Sequence, residues 1–228
     1  MTTTDPKCKC GNPLPYDKRY ALIGNIMDGN GETREVREYR AMCDECEHEL
    51  FFKALLADAG IPERTNREAE AYAVKPVKKI IPISEDMRIN KHSLFLHGEQ
   101  GRGKSVLAAQ VIRHIMWEYD GRCLWLDEEQ VKDRMWVEHA ITKRERFAFM
   151  DGVDVVVLND LGRKPPLVSA VDEFMDWCYE NMKVVIVTSN VSLDDLYNNE
   201  TYRRTASRLK EMCGKSGVLP LKGKDLRG

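Results

Sequence analysis

The 228-residue sequence has no apolar run that approaches the length of a membrane span, so a helical membrane protein is excluded. Its first residues, Met1-Thr2-Thr3-Thr4-Asp5-Pro6, lack the basic-then-apolar order of a secretory signal, and a cytoplasmic location is expected. No excess of one charge is present: 35 Lys and Arg face 37 Asp and Glu, for a formal net charge of −2. That balance excludes a global basic field as the basis of nucleic-acid binding. There is no internal repeat and no low-complexity tract, which sets aside solenoids. Aromatic residues make up 8% and charged residues 32%, as in an ordinary soluble globular protein. The length suffices for one core of ordinary size and a small appendage.

Cysteine is not scarce. Seven are present, and in a reducing compartment their spacing is read for metal before disulfide. Cys8-Lys9-Cys10-Gly11 is answered by Cys43-Asp44-Glu45-Cys46, a C-x-C…C-x-x-C arrangement. Four thiolates suit tetrahedral Zn²⁺, and Gly11 favours a tight knuckle. Between the pairs lie two strand-like runs, Arg19 to Ile23 and Glu35 to Arg40, joined by the turn signal Asp28-Gly29-Asn30-Gly31. A hairpin with cysteine pairs at its base is a zinc-ribbon-like arrangement, and so short a segment needs a metal to fold. The one-residue spacing of the first pair and the long gap between pairs depart from the usual ribbon, and His48 could replace one cysteine. Cys123, Cys178 and Cys213 sit in apolar surroundings and are read as core.

The stretch Gly98-Glu99-Gln100-Gly101-Arg102-Gly103-Lys104-Ser105 fits the P-loop pattern G-x-x-x-x-G-K-[ST] at every fixed position. An apolar strand-like run, Ser93 to His97, precedes it, and a helix-like run from Ser105 to Met116 follows. Glycines let backbone N–H groups turn inward around phosphate oxygens, and the helix N-terminus adds partial positive charge there. The ATP-binding residues are therefore Gly98 to Val106; Lys104 reaches the β/γ-phosphates and the Ser105 hydroxyl ligates Mg²⁺.

Glu47 to Ala59 reads as a helix stopped by Gly60 and Pro62. Residues 63–90, rich in charge and carrying Pro76 and Pro82, read as a linker in which Lys75, Lys78 and Lys79 are solvated. The expected division is a zinc-binding domain over 1–62, the linker over 63–90 and an ATPase domain over 91–228. From Ser93 onward strands and helices alternate. Further strands are read at Cys123 to Leu126, Val153 to Leu158, Val184 to Val187 and, short and at an edge, Val218 to Leu221. Helices are read from the capping box Asp127/Gln130, over Val168 to Lys183, after Ser192, and over Thr201 to Cys213. Lys143 to Arg146 is read as a solvated charged face. Such alternation predicts an α/β fold with a parallel sheet between helices.

The third strand ends Leu158-Asn159-Asp160-Leu161-Gly162 and the fourth Thr188-Ser189-Asn190. If both flank the P-loop strand, Asn190 can hydrogen-bond a water or the γ-phosphate. With Thr201-Tyr202-Arg203-Arg204-Thr205-Ala206-Ser207-Arg208-Leu209 and the tail Leu221 to Arg227, these motifs resemble the DnaC/DnaI-type helicase loaders of the AAA+ superfamily. The cysteine pairs match the zinc-binding N-terminal domain of DnaI-like loaders, which docks on the replicative helicase. The resemblance covers essentially the whole chain and implies a five-stranded sheet in the order 5-1-4-3-2 without a helical lid. It makes Asn190 the sensor-1 residue, and aligns Arg204 with the arginine finger that acts on ATP in a neighbouring subunit, Arg208 being the alternate. The register puts Asn159 beside Mg²⁺ and Asp160 at the water-activating position. Asn159 departs from the family, where Asp is usual, and so implies weak hydrolysis.

The expected function is ATP-dependent loading of a hexameric replicative helicase onto single-stranded DNA, with self-assembly through Arg204 and with ATP, Mg²⁺ and Zn²⁺ as cofactors. An IstB-like transposition helper shares the ATPase core, although such helpers usually lack a zinc-bearing domain. A nucleotide-binding adaptor with little hydrolysis is the third reading, motivated by Asn159.

Overall fold

A computed structural model describes residues 8, 10, 20–27, 33–39, 43–72, 77–136, 142–162 and 168–222. The chain divides into two compact units, Met1–Ala54 and Leu55–Gly228. In the first, β1 (Tyr20–Met27) pairs antiparallel with β2 (Thr33–Tyr39), with an irregularity between Leu22 and Gly24. The turn residues Asp28 to Gly31 lie outside the described residues. α1 (Asp44–Ala59) begins in this unit, three residues before the expected Glu47. Asp44, Glu45 and Glu47 occupy its first turn, where the helix dipole favours carboxylates. Leu50 and Phe51 are exposed, whereas Leu55 and Ala59, past the unit boundary, are buried.

The second unit is built on a five-stranded sheet ordered β4-β5-β6-β3-β7. Its strands are β3 (Leu94–His97), β4 (Cys123–Asp127), β5 (Val155–Leu161), β6 (Val184–Ser189) and β7 (Val218–Pro220). Every pairing is parallel. Numbered within the sheet, the order is 2-3-4-1-5, which is the expected 5-1-4-3-2 read from the opposite edge. β3 to β6 are apolar and buried because crossover helices cover the sheet. Those helices are α4 (Lys104–Tyr119), α5 (Glu128–Met135), α7 (Val168–Glu180), α8 (Leu193–Asn198) and α9 (Arg203–Cys213). The short helix α6 (Lys143–Arg146) carries its own capping box, Thr142 with Glu145. Its charges are paired as well as solvated: Lys143 meets Glu180 at 2.7 Å and Arg146 meets Glu173 at 2.7 Å. Pro220 ends β7 at the sheet edge, and Cys123, Cys178 and Cys213 are buried.

Within the segment expected to be an irregular linker, residues 63–72 and 77–90 are helical: α2 (Glu63–Tyr72) and α3 (Val77–Asn90) both pack on α4. Pro82 lies inside α3, where it removes one backbone donor. Burial outweighs that loss: Ile80, Ser84 and Met87, spaced at helical period, are all buried. The Ser84 hydroxyl contacts His114 Nδ1 of α4 at 2.9 Å. On α2, Asn66 Oδ1 accepts from Arg113 Nη1 at 2.5 Å, and the Ala69 carbonyl accepts from Gln110 at 3.4 Å.

Candidate nucleotide site and cysteine cluster

The P-loop joins β3 to α4 through residues only glycine adopts without strain. Gly98, Gly101 and Gly103 have φ of 146°, 82° and 75°. At Gly98 a Cβ would stand 2.4 Å from the Leu221 carbonyl oxygen, so the loop's first residue has no room for a side chain. Lys104, the first residue of α4, is 6% exposed, and its ammonium donates to three acceptors. These are Gly98 O at 2.8 Å, Glu99 O at 2.9 Å and Asn190 Oδ1 at 2.8 Å. Thus the P-loop lysine and the residue after β6 meet. Of the two strands expected to flank the P-loop strand only β6 does so; β5 lies one strand further out, beyond β6.

Ser105 meets the end of β5. Its hydroxyl donates to Asn159 Oδ1 at 2.8 Å, and Thr188 Oγ1 donates to the same oxygen at 3.0 Å. Asp160 follows with φ of 61°, and its N–H donates to Thr188 Oγ1 at 2.9 Å. Opposite this point the β5–β6 register slips: Leu158 pairs with Val187 but Leu161 with Ser189. β5 therefore carries one extra residue, a bulge. In a regular strand adjacent side chains point to opposite faces. The bulge is what lets both Asn159 and Asp160 line one cleft.

That cleft has a volume of about 430 Å³ and is lined by residues 100–106 together with Asn159, Asp160 and Asn190. Its mainly polar wall and the P-loop backbone fit a polyphosphate with a divalent cation, for which Ser105 and Asn159 are the adjacent oxygen donors. Three further wall residues, Arg64, Thr65 and Glu68, come from α2. Charge and proline in residues 63–90 point locally to a linker and so hide these three. The i, i+4 pair Arg64–Glu68, joined at 2.8 Å, was the available helical signal.

Arg204 is not among the residues lining the cleft. It lies on α9 with its side chain 64% exposed and paired to Asp176 of α7. Arg208 shares that carboxylate at 3.2 Å and lies over the Tyr179 ring at 4.6 Å.

In the first unit, Cys8, Cys10, Cys43 and Cys46 bring their sulfurs within 4.8 Å of one another, and His48 is not part of the group. Cys8 and Cys46 are 3.5 Å apart at sulfur, and Cys10 and Cys43 are 3.6 Å apart. A tetrahedral Zn²⁺ with sulfur ligands at about 2.3 Å needs sulfurs roughly 3.8 Å apart, so the donor set fits the ion. Backbone contacts from Cys10 and then Cys43 hold the Cys8 thiol below its usual range, whereas hydrogen bonds to the Cys10 and Cys8 sulfurs push the Cys46 thiol up, as expected of sulfurs crowded together.

Fold and cleft together define an α/β domain whose P-loop opens into a polar cleft at the ends of β3, β5 and β6. No protein-family model and no curated protein matches the sequence. Among solved structures the chain is similar to DnaI, with a TM-score of 0.55 and 17% identity over 74% of this chain and 95% of that one. It is similar to the DnaC helicase loader, with a TM-score of 0.54 and 20% identity over 65% of this chain and 89% of that one. A DnaA replication initiator, solved with AMPPCP and single-stranded DNA bound, matches with a TM-score of 0.50 and 16% identity over 72% of this chain and 52% of that one. At these identities the likeness is one of fold.

Proposed function

We propose that the chain is an ATP-dependent loader of a hexameric replicative DNA helicase onto single-stranded DNA. The observation that carries this reading is the pairing of a complete P-loop cleft with a fold shared across most of the solved DnaI and DnaC chains. The IstB-like alternative leaves the cysteine cluster without a task.

In this reading the P-loop amides and Lys104 hold the β/γ-phosphates, and Ser105 and Asn159 flank the magnesium ion, which supplies charge neutralisation when bound. Asp160 orients the attacking water and Asn190 steadies the γ-phosphate end. Arg204 reaches across to ATP in a neighbouring subunit, with Arg208 as the alternate. The N-terminal region, 1–62, holds zinc through its four cysteines and docks on the helicase, while the ATPase unit meets single-stranded DNA in the cytoplasm. Native mass spectrometry of the full chain with the cognate helicase, with and without ATP, tests the reading. A defined complex whose stoichiometry responds to ATP is expected; no complex under either condition refutes it.

A second reading, a nucleotide-dependent adaptor with little turnover, is favoured by one contact. The group facing Ser105 is the uncharged amide of Asn159. A turnover assay in the presence of helicase and DNA separates the two.

A further inference from the structure

We infer that Glu128 is a positioning residue for phosphoryl transfer: its carboxylate clamps the Leu161–Gly162 peptide and so helps hold the preceding Asp160 in the backbone conformation that presents it to the cleft. The inference rests on the reading of Asp160 as the water-orienting group.

Asp160 is a non-glycine residue at φ of 61°, a region that persists only where the surroundings impose it. Three hydrogen bonds do so. The Asp160 N–H is taken by Thr188 Oγ1 at 2.9 Å. One peptide unit further on, the Leu161–Gly162 peptide is gripped at both ends. Its carbonyl, on Leu161, accepts from Ser189 Oγ at 2.8 Å. Its N–H, on Gly162, donates to Glu128 Oε1 at 2.8 Å. Thr188 and Ser189 belong to β6, the strand that leads into Asn190, so those two bonds come with the sheet. Glu128 comes from a different element, the first residue of α5, and supplies the grip the sheet cannot.

Burial gives that grip its strength. Glu128 is 4% exposed. An ionised carboxylate only accepts hydrogen bonds, and a buried one needs donors to offset lost hydration. The Gly162 amide is such a donor, and a charge-assisted bond of this kind is stronger than a neutral one. The N-terminus of α5 also favours a negative charge at this position. Tyr202, next to α9, brings its hydroxyl to the same oxygen at a longer 3.4 Å. Burial, and then the Glu128 charge, push that phenol up to about 12, so it remains a donor at neutral pH. The loop has little slack elsewhere, since a Cβ on Gly162 would already stand 3.3 Å from Leu196. Glu128 is not among the residues lining the cleft, and its influence runs through Gly162.

The test uses the full chain with helicase and single-stranded DNA, and compares E128A, E128Q and D160N. In E128A the Gly162 amide should exchange with solvent at least about tenfold faster. Its kcat should fall about tenfold, while KM for ATP and the calorimetric ATP affinity stay within about twofold. E128Q keeps an acceptor oxygen and should recover kcat to within about threefold of the parent. A site held only for stability would move the melting temperature without this split between kcat and KM. An unaltered Gly162 amide in E128A overturns the clamp, whatever D160N does. If D160N abolishes turnover while E128A keeps full kcat, the clamp has no positioning role. If D160N turns over like the parent, the reading of Asp160 fails, and Gly162 exchange alone decides the clamp. Should E128A not fold, E128Q carries the same measurements, and a parent-like Gly162 amide together with parent-like kcat supports the acceptor role. A tenfold loss of kcat in E128Q despite a protected Gly162 amide overturns it.

Discussion

Lys104 is a buried cation at the floor of the P-loop. Three of its hydrogen bonds go to neutral oxygens, two from the P-loop backbone and one from Asn190. A polyphosphate offers charged oxygens instead, a contact typically worth about 1.5–3 kcal/mol. Lys104→Ala should therefore cost at least about tenfold in ATP affinity by calorimetry, with the fold retained. Asn159 poses the opposite question, a missing charge. Its Oδ1 already accepts from Ser105 and Thr188, so a carboxylate in its place would keep both donors and add an anionic oxygen. Mg²⁺ prefers such oxygens. Asn159→Asp should thus turn over ATP faster and reach half-maximal rate at lower magnesium when helicase and DNA are present. Equal rates and equal magnesium midpoints would show that the charge is irrelevant.

At the scale of elements, α7 and α9 decide how the arginines are offered. Asp176 is buried and faces both Arg204 and Arg208, yet the Arg204 side chain remains the more exposed, at 64% against 33%. Arg204→Ala should leave ATP binding by the isolated chain unaltered and weaken ATP-dependent assembly, read by sedimentation. If assembly persists, the same experiment on Arg208 is the next discriminator. The elements also show what could be read beforehand. The β–α alternation from Ser93 to Cys213 was legible because fully buried strands are continuous apolar runs and several helices carry recognisable caps. α2 and α3 were not, because Pro76, Pro82 and dense charge are local signals of a break, whereas the burial of Ile80, Ser84 and Met87 against α4 is set by tertiary packing. The P-loop was legible as a motif. The pairing of Asn159 with Ser105 followed only from family register, and the bulge that makes it possible leaves no mark in residue type. Glu128 had no signal either, since an acidic residue opening a helix is common and only burial singles it out.

For the molecule as a whole, the two units rest on different physics. The second has an extended apolar core; among the described residues the first gathers buried Cys8 and Cys43, with Cys46 partly buried against them. Cys43→Ser should lower zinc from about one ion per chain and abolish helicase capture, because a four-thiolate site needs every ligand. ATP affinity should be unchanged, as the cleft draws all of its lining from the second unit. Full helicase capture by the metal-free variant would refute the docking role.

The edge strand adds a mechanical dimension. Leu221 donates its N–H to the His97 carbonyl at 2.7 Å, and its own carbonyl fills the space beside Gly98 that a Cβ would need. The first residue of the phosphate loop is therefore walled in by the residue just past β7. A side chain at position 98 could be accommodated only by displacing Leu221, and with it a backbone bond at the sheet edge.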